Sequence, residues 1–248
     1  MDFSTWKSDR LQALTAPEGW LNLTDRVEFS AGIPQSVGAA LGHDIQLSRG
    51  PAHLGRLLPG YRFETPDGVT RVFQDRGNPM LQVDPFLLEI HMDAGQPALR
   101  VRDLTLPRVV TLRYFPADPT WIIRARWQVL AAPMAQSIDQ KNAAPTIVHL
   151  THCAHFTHAG RDVTLLATHW KSGRPMFVIH DQTSGRQTYA AGRFLLGEDM
   201  TDTEITLDFN KAHNPPCAFT DFAICPLPPR ENMLPFAVEA GELALIPI

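Results

Sequence analysis

Hydrophobic and polar positions along the chain change their spacing after the first fifteen residues. In residues 2–15 the apolar side chains Phe3, Trp6, Leu11 and Leu14 recur at intervals of three to five residues, which predicts one helix with an apolar face. The sequence APEG follows directly, and proline and glycine disfavour continuation of a helix. We therefore predict a short N-terminal helix.

From residue 21 onward, apolar and polar residues alternate, which is the spacing of a half-buried β-strand. The clearest stretch is TWIIRARWQV, residues 120–129. Every second residue in it is apolar, and these residues lie on one face of the strand. We expect Arg124 and Arg126 to lie on the wetter face of this strand. The apolar residues predicted to be buried are Trp121, Ile123, Ala125 and Trp127, with Val129 next on the same face.

Turn-forming residues separate further alternating stretches. These turns are predicted at Pro66-Asp67-Gly68, near Gly95, and at Ala159-Gly160, Ser172-Gly173 and Ser184-Gly185. Many short strands at this spacing predict a mainly β fold, with antiparallel β-sandwich or β-barrel modules and a short N-terminal helix.

A candidate seam between two modules lies at DLTLPR, residues 103–108. It predicts two domains. Residues 1–105 would hold the helix and a sandwich-like module, and residues 106–248 would form a C-terminal β module.

Composition excludes several classes of function. The formal net charge of −4 over 248 residues argues against a general nucleic-acid-binding protein. No run of about 18 apolar residues predicts a membrane span, and the start MDFSTWKSDRLQAL does not resemble a secretory signal. Three cysteines are too few for a disulfide scaffold, so we expect a reducing cytoplasm.

Histidine recurs at every third position of HLTHCAHFTH, residues 149–158. If this segment is a strand, His149 and His155 share one face, and His152 and His158 share the other. Same-face partners six residues apart would be roughly 20 Å apart, whereas metal–nitrogen bonds are about 2 Å. One strand therefore cannot gather all four around one ion, and the favoured interpretation is half-buried strand histidines, with no metal.

A cross-strand arrangement stays open. If the chain turns at residues 159–160, His169 returns toward this strand, and Cys153, His155 and His169 would face one side. Contacts to a ligand other than a metal are a further alternative for these histidines.

Three long pieces near the C-terminus carry a family resemblance. DQTSGRQTYAAGRFL, LDFNKAHNPPCAF and CPLPPRENMLPFAVEAGE resemble the bacterial family known as domain of unknown function 1684. The pieces WKSDR, GWLNL and RYFPADPTW fit the same family more loosely. The resemblance carries no activity with it. As a departure, the family tends to carry tyrosine where this chain has His213, and it lacks the histidine ladder.

Polar residues in these pieces are the candidate ligand-binding site. A pocket with one cation, several carboxylates and amides would orient a small polar ligand. Arg193 would clamp a carboxylate or phosphate, and Asp208, Glu239 or Glu242 would act as an acid or base if desolvated. The candidates are Tyr189, Arg193, Asp208, Asn210, Asn214, Asn232, Glu239 and Glu242.

A structural interpretation of the same residues stays open beside the functional one. Arg193 would then simply pair with Asp208, and Asn210 or Asn214 would hold turns by bonding main-chain groups.

Cys217 and Cys225 allow several interpretations. A disulfide is disfavoured by the compartment. Zinc bound with His213 would lack a fourth ligand, and a cysteine nucleophile would need His213 as its base. Two small buried residues are the favoured interpretation.

Two functional hypotheses follow. The first is a protein that binds a small polar or anionic ligand in a C-terminal pocket, with hydrolytic chemistry left open. The second is a non-enzymatic binding or interaction module, because the chain lacks a glycine-rich phosphate loop, a GxSxG motif and an HExxH motif. Neither hypothesis calls for a cofactor, a nucleic acid or a membrane.

Overall fold

A computed structural model describes residues 2–93 and 95–246. It confirms the predicted mainly β fold, with antiparallel sheets and one helix near the N-terminus. Helix α1, Phe3–Thr15, begins after Asp2, whose carboxylate accepts a hydrogen bond from the Ser4 amide at 2.7 Å. Across the described residues, no helix has the length and apolar character needed to cross a membrane.

The chain forms two compact units. One is Gln12–Val109, and the other combines Met1–Leu11 with Val110–Ile248. The division predicted from the sequence, 1–105 and 106–248, stays a prediction.

Two five-stranded sheets make up the unit of residues 12–109. The strands run in the orders β1-β10-β9-β8-β7 and β3-β2-β4-β5-β6, and β2 pairs with β3 in parallel. Their bounds are β1 Leu23–Glu28, β2 Gln35–Gly38, β3 Ile45–Gln46, β4 Gly55–Leu58, β5 Arg62–Glu64, β6 Thr70–Val72, β7 Gln74–Asp75, β8 Pro79–Val83, β9 Phe86–Asp93 and β10 Gln96–Asp103.

The predicted hairpins of this unit are present. Strands β5 and β6 pair on either side of the Pro66-Asp67-Gly68 turn, where Gly68 has φ +82°, a value that glycine adopts without strain. Strands β9 and β10 pair from Asp93 and Gln96 outward. Ala94, in the turn predicted near Gly95, lies outside the described residues.

Side chains from both sheets share one core in this unit. Val37 and Phe63 of one sheet and Leu88 and Val101 of the other are fully buried in the same cluster. Two sheets that share a core in this way, one antiparallel and one with a single parallel pair, are the β-sandwich arrangement.

The second unit holds eight strands among its described residues. The first sheet has the order β13-β12-β11-β17, with β18 also on β11, and the second has the order β14-β15-β16. Their bounds are β11 Ile122–Lys141, β12 Ala143–His158, β13 Arg161–Leu166, β14 His169–Lys171, β15 Arg174–Ile179, β16 Arg193–Leu196, β17 Glu204–Asp208 and β18 Cys225–Pro226. Short 3-10 turns cover Pro119–Trp121, Phe209–Lys211, Pro216–Ala218 and Arg230–Asn232.

The predicted burial of the strand at 121–129 is confirmed in most positions. Trp121, Ala125 and Trp127 are buried, Ile123 packs against the same core while half-buried, and Arg124 and Arg126 are exposed.

Val129 departs from the alternation, because it is 62% exposed. The register between β11 and β12 shifts after this residue and resumes at Met134. Val129 is the last paired residue before this irregularity, in which β11 holds three more residues than β12, so the regular alternation ends here.

Irregular chain after β17 completes the core of this unit. Phe209, Ala212, Leu234, Val238 and Ala240 are buried with the strand side chains. The chain after β17 thus packs back against the sheets. Its polar side chains lie there beside main-chain groups that need hydrogen-bond partners.

Candidate functional site

Arg193, predicted as the clamp for an anion, is fully buried. Its Nη2 atom lies 2.9 Å from Asp181 Oδ2 and 3.0 Å from the carbonyl oxygen of Val238, and Nη1 donates to the carbonyl oxygen of Ala240. Arg193 therefore pairs with Asp181 instead of Asp208, and it fastens residues 238–240 to the sheet.

Asp181 supports the same segment from the other side. Its Oδ1 atom accepts hydrogen bonds from the Val238 amide at 3.1 Å and from the Thr183 amide at 2.8 Å. Asp181 therefore ties the main chain of Val238 and of Thr183 to one carboxylate.

Glu242 lies at the end of this segment, and its side chain is completely enclosed. Oε1 lies 2.9 Å from Arg10 Nε on α1, and Oε2 accepts the Asn214 amide at 2.8 Å. The Tyr114 hydroxyl donates to Oε1 at 3.5 Å. Glu242 thus joins three separate stretches of the chain.

The predicted amides hold irregular chain in place. Asn232 bonds the main chain of Leu166 through both of its side-chain polar atoms. Asn210 bonds the main chain of Asp118 in the same two-sided way. Asn214 Nδ2 donates to the carbonyl oxygen of Leu243 at 2.8 Å.

Two further candidates lie apart from that network. Asp208 caps the turn at Asn210 and lies 3.3 Å from Lys211 Nζ. Glu239 is exposed.

Tyr189 belongs to a different cluster. Its hydroxyl accepts from Lys141 Nζ at 2.7 Å and donates to the Cys217 carbonyl oxygen at 2.9 Å.

The structure therefore brings together three of the eight predicted residues, Arg193, Asn214 and Glu242, around the terminal segment. Asp208 and Asn210 are neighbours of each other at the end of β17. A ligand-binding role for the eight stays a prediction.

The histidine ladder forms part of strand β12, as predicted. The ring of His152 stacks on Trp127 at 4.9 Å and that of His158 on Trp121 at 4.6 Å. These rings, on the half-buried face, complete an aromatic layer.

The predicted cross-strand cluster of Cys153, His155 and His169 forms only in part. Cys153 Sγ and His155 Nε2 lie 3.1 Å apart, but His169 pairs with Met176 in the other sheet. The described part of the chain contains no group of three or more His, Cys, Asp or Glu side chains that could hold a metal ion.

A surface groove of about 440 Å³ lies beside the Glu242 network, which consists of Glu242 and its partners Arg10, Tyr114 and Asn214. One wall is the face of α1, and the other is the extended chain that leads to Tyr114. Its polar lining consists of one ammonium group and four hydroxyl groups. The lining residues are Ser4, Lys7, Ser8, Leu11, Val110, Thr111, Leu112 and Tyr114.

Two aromatic rings hold the cation of this groove. Lys7 Nζ lies 4.9 Å from the ring centre of Phe3 and 5.5 Å from that of Tyr114, within the range of cation–π attraction. Within residues 2–93 and 95–246, no carboxylate lies at ion-pair distance from it. The charge of Lys7 is therefore available to an incoming anion.

Tyr114 lines the groove and carries a neutral hydroxyl that is directed at Glu242. Burial raises the pKa of Tyr114, and the neighbouring Glu242 carboxylate raises it further, because a second negative charge beside the first is disfavoured. The hydroxyl therefore keeps its proton at neutral pH and donates it to Glu242.

Sequence reasoning singled out neither Lys7 nor Tyr114. A signal was present, because Lys7, Ser8 and Arg10 lie in WKSDR and Tyr114 lies in RYFPADPTW, two pieces of the family resemblance. Nothing in either piece alone shows that the helix and the later segment meet.

Comparison with known proteins identifies a family for this chain but gives no activity. The model of the family described as protein of unknown function (DUF1684) matches residues 109–243. Among curated proteins, none matches the chain. A similar solved structure is the solution NMR structure of an uncharacterized protein of Haloarcula marismortui. It is 34% identical, the match covers 53% of this chain and 75% of that chain, and the TM-score is 0.45.

Proposed function

The chain belongs to the DUF1684 family, and we propose that it binds a small anionic ligand in the groove lined by Lys7 and Tyr114. The observation that carries the proposal is the Lys7 ammonium, held over two rings in a groove that hydroxyl-bearing residues also line. Lysine binds phosphate and carboxylate as a point charge, and the serine and threonine hydroxyls of the lining supply the remaining hydrogen bonds to such a group.

The lining also indicates the shape of the ligand. Leu11, Val110 and Leu112 contribute apolar surface beside the polar groups. Ligand sites combine apolar walls with a few polar groups that fix orientation. We therefore expect a small molecule with one anionic group and a short apolar part.

In this proposal the buried network supports the groove from behind. Arg193 fastens the chain that leads to Glu242, and Glu242 bonds Arg10 on α1 and Tyr114 on the opposite wall. The two walls of the groove thereby share Glu242 as a buried partner, which lowers the ordering cost of binding. No catalytic step is part of the proposal.

A cytoplasmic location is a further part of the proposal. It is supported by the three cysteines, Cys153, Cys217 and Cys225, which are all free thiols. Thiols persist in a reducing compartment, where glutathione and thioredoxin keep them reduced.

The test is a thermal-shift titration with inorganic phosphate, phenyl phosphate and benzoate. Binding to the folded state alone raises the melting temperature with ligand concentration. We expect phenyl phosphate to stabilise the wild type most, because it carries both an anionic group and an apolar part.

Lys7→Gln should weaken binding about tenfold, the usual effect of losing one charged hydrogen-bond donor. The matched control is Arg126→Gln, which removes an exposed positive charge from β11 and should leave the shift unchanged. Equal shifts in all three proteins, or no shift of the wild type with any probe, would refute the proposal.

A further inference from the structure

A second group of reactive side chains surrounds Cys217 and Cys225, and none of its members lines the groove. Cys217 lies in the turn Pro216–Ala218, and Cys225 begins strand β18, which pairs with the end of β11. The Cys217 amide donates to Cys225 Sγ at 3.2 Å. Both thiols are free and buried.

Two polar side chains are placed beside this pair. Tyr189 Oη lies 3.7 Å from Cys217 Sγ and donates to the Cys217 carbonyl oxygen. Lys141 Nζ lies 2.7 Å from Tyr189 Oη and 3.4 Å from the same carbonyl oxygen. Lys141 and Tyr189 are half-buried, so the cluster reaches the surface through them.

The surroundings make the two thiols unequal. A hydrogen bond from Cys225 lowers the pKa of Cys217 to about 7, against the opposing effect of burial, and Tyr189 and Lys141 lower it further. The same contact and burial raise the pKa of Cys225. A thiol that is partly ionised at neutral pH next to a protonated one is the usual arrangement of an attacking and a resolving cysteine.

We propose that Cys217 and Cys225 form a redox-sensitive pair that a small hydroperoxide converts reversibly to a disulfide. The Cys217 thiolate attacks the O–O bond, so that an S–O bond forms, the O–O bond breaks and an alcohol or water leaves with one proton. The Cys225 sulfur then attacks the sulfenic acid, so that the S–S bond forms, the S–O bond breaks and water leaves. The two thiols lose two electrons in total and the hydroperoxide gains them.

The geometry favours the second step over further oxidation. Since the Cys225 sulfur already contacts the Cys217 residue, a sulfenic acid at Cys217 has its partner at hand. The disulfide would close a short loop over residues 218–224, whose ends the paired strand β18 and the turn Pro216–Ala218 hold near each other.

Cys153 is an internal reference for this chemistry. It is buried in strand β12 beside His155, and burial raises the pKa of its thiol. A thiol kept protonated reacts slowly with peroxide, so Cys153 should remain reduced while the pair is oxidised.

The experiment treats the reduced full chain with hydrogen peroxide and follows free thiols and mass. We expect two of the three thiols to disappear, a loss of two hydrogen atoms in mass, and a crosslinked Cys217–Cys225 peptide after digestion. Dithiothreitol should restore both thiols. Survival of all three thiols, or loss of Cys153 before the pair, would overturn the proposal.

Variants assign the order of attack. Cys225→Ser should leave a sulfenic acid at Cys217 that dimedone traps, whereas Cys217→Ser should react slowly. Trapping at Cys225 in Cys217→Ser, at the wild-type rate, would contradict the assigned roles.

Lys141→Met keeps both thiols, so it tests the assignment even if a serine variant fails to fold. The groups facing Cys217 are Lys141, Tyr189 and Cys225, and Asp221 acts on Lys141. Loss of the ammonium should move the midpoint of the pH–rate profile upward and slow oxidation at pH 7 roughly fivefold. An unchanged profile in Lys141→Met would show that the cation does not activate the thiol.

Discussion

Trp127 carries much of the packing in its unit as a single side chain. It is 5% exposed, its ring stacks on His152, and it meets Phe177 edge to face at 6.1 Å. The alternating pattern of residues 120–129 was sufficient to predict its burial. The same pattern could not show that His152, a polar residue, covers one side of the ring.

Trp127→Ala should destabilise the protein by about 3–5 kcal/mol, because it removes a buried ring and leaves a cavity. Urea unfolding measures the change at constant slope. Trp170→Ala is the matched control, since Trp170 is 46% exposed, and it should cost clearly less. A loss below about 1 kcal/mol for Trp127→Ala would contradict the assigned face.

His213 links stability to pH. Burial lowers the pKa of His213 well below its ordinary value of 6.5, and the nearby Arg10 cation lowers it further. The unfolded chain therefore binds a proton below about 6.5 while the folded chain does not. The contribution of His213 to the free energy of unfolding is fully present above pH 6.5. It is lost as the pH falls toward the pKa of His213 in the folded state.

We expect His213→Phe, which keeps a ring next to Trp6 and Phe194, to lose less stability than the wild type between pH 7.5 and pH 5.5. Urea unfolding at both pH values measures the difference. The exposed residue His149 gives the control His149→Gln, which should retain the wild-type drop. The same drop in His213→Phe would exclude His213 as a source of the pH dependence.

At the scale of elements, the Asp181–Arg193 pair decides where the C-terminal segment lies. The structural interpretation of the sequence paired Arg193 with Asp208. The actual partner, Asp181, lies two residues beyond the end of β15. No local pattern in a sequence shows which of several carboxylates a folded chain will bring to an arginine.

Removing Asp181 should cost about 3–5 kcal/mol, since Asp181→Ala leaves the fully buried Arg193 charge unpaired. The exposed pair Arg124–Glu204 is the control, and Glu204→Ala should cost within about 1 kcal/mol. Chemical unfolding of both variants checks the contrast. Equal losses would mean that burial of the pair does not matter.

The long hairpin of β11 and β12 contains strand segments that the alternation of apolar and polar residues did not predict. Residues 130–145 are rich in alanine and contain Pro133 and Pro145, so they show no alternation. The structure continues both strands through them, with a shift of register after Val129. Pairing with a neighbour stabilised these strands where the local sequence could not specify them.

The segment QTYAAGRFL shows the opposite error. Its composition is compatible with one strand, yet β16 begins only at Arg193. Gly192, just before it, has φ +93°, a left-handed conformation that a strand does not use. The turn frees Tyr189 to reach Cys217.

For the whole molecule, turn residues and period-two alternation were enough to predict the β-rich fold, because both are local signals. The candidate site depends on contacts between residues such as Arg10 and Glu242, which are far apart in the chain. Those contacts follow from topology, and the sequence alone did not show them. The family resemblance singled out Arg193, Asn214 and Glu242, which support the groove. It did not single out Lys7 and Tyr114, which line the groove.

The central claim is that the groove beside Lys7 and Tyr114 binds a small anion, and the most direct measurement is a two-dimensional amide NMR titration with phenyl phosphate. We expect saturable shifts concentrated in residues 4–11 and 110–114, with the corresponding shifts lost in Lys7→Gln. Shifts concentrated elsewhere, for example around the exposed Arg71 and Arg76, or no saturable shift at all, would contradict the account.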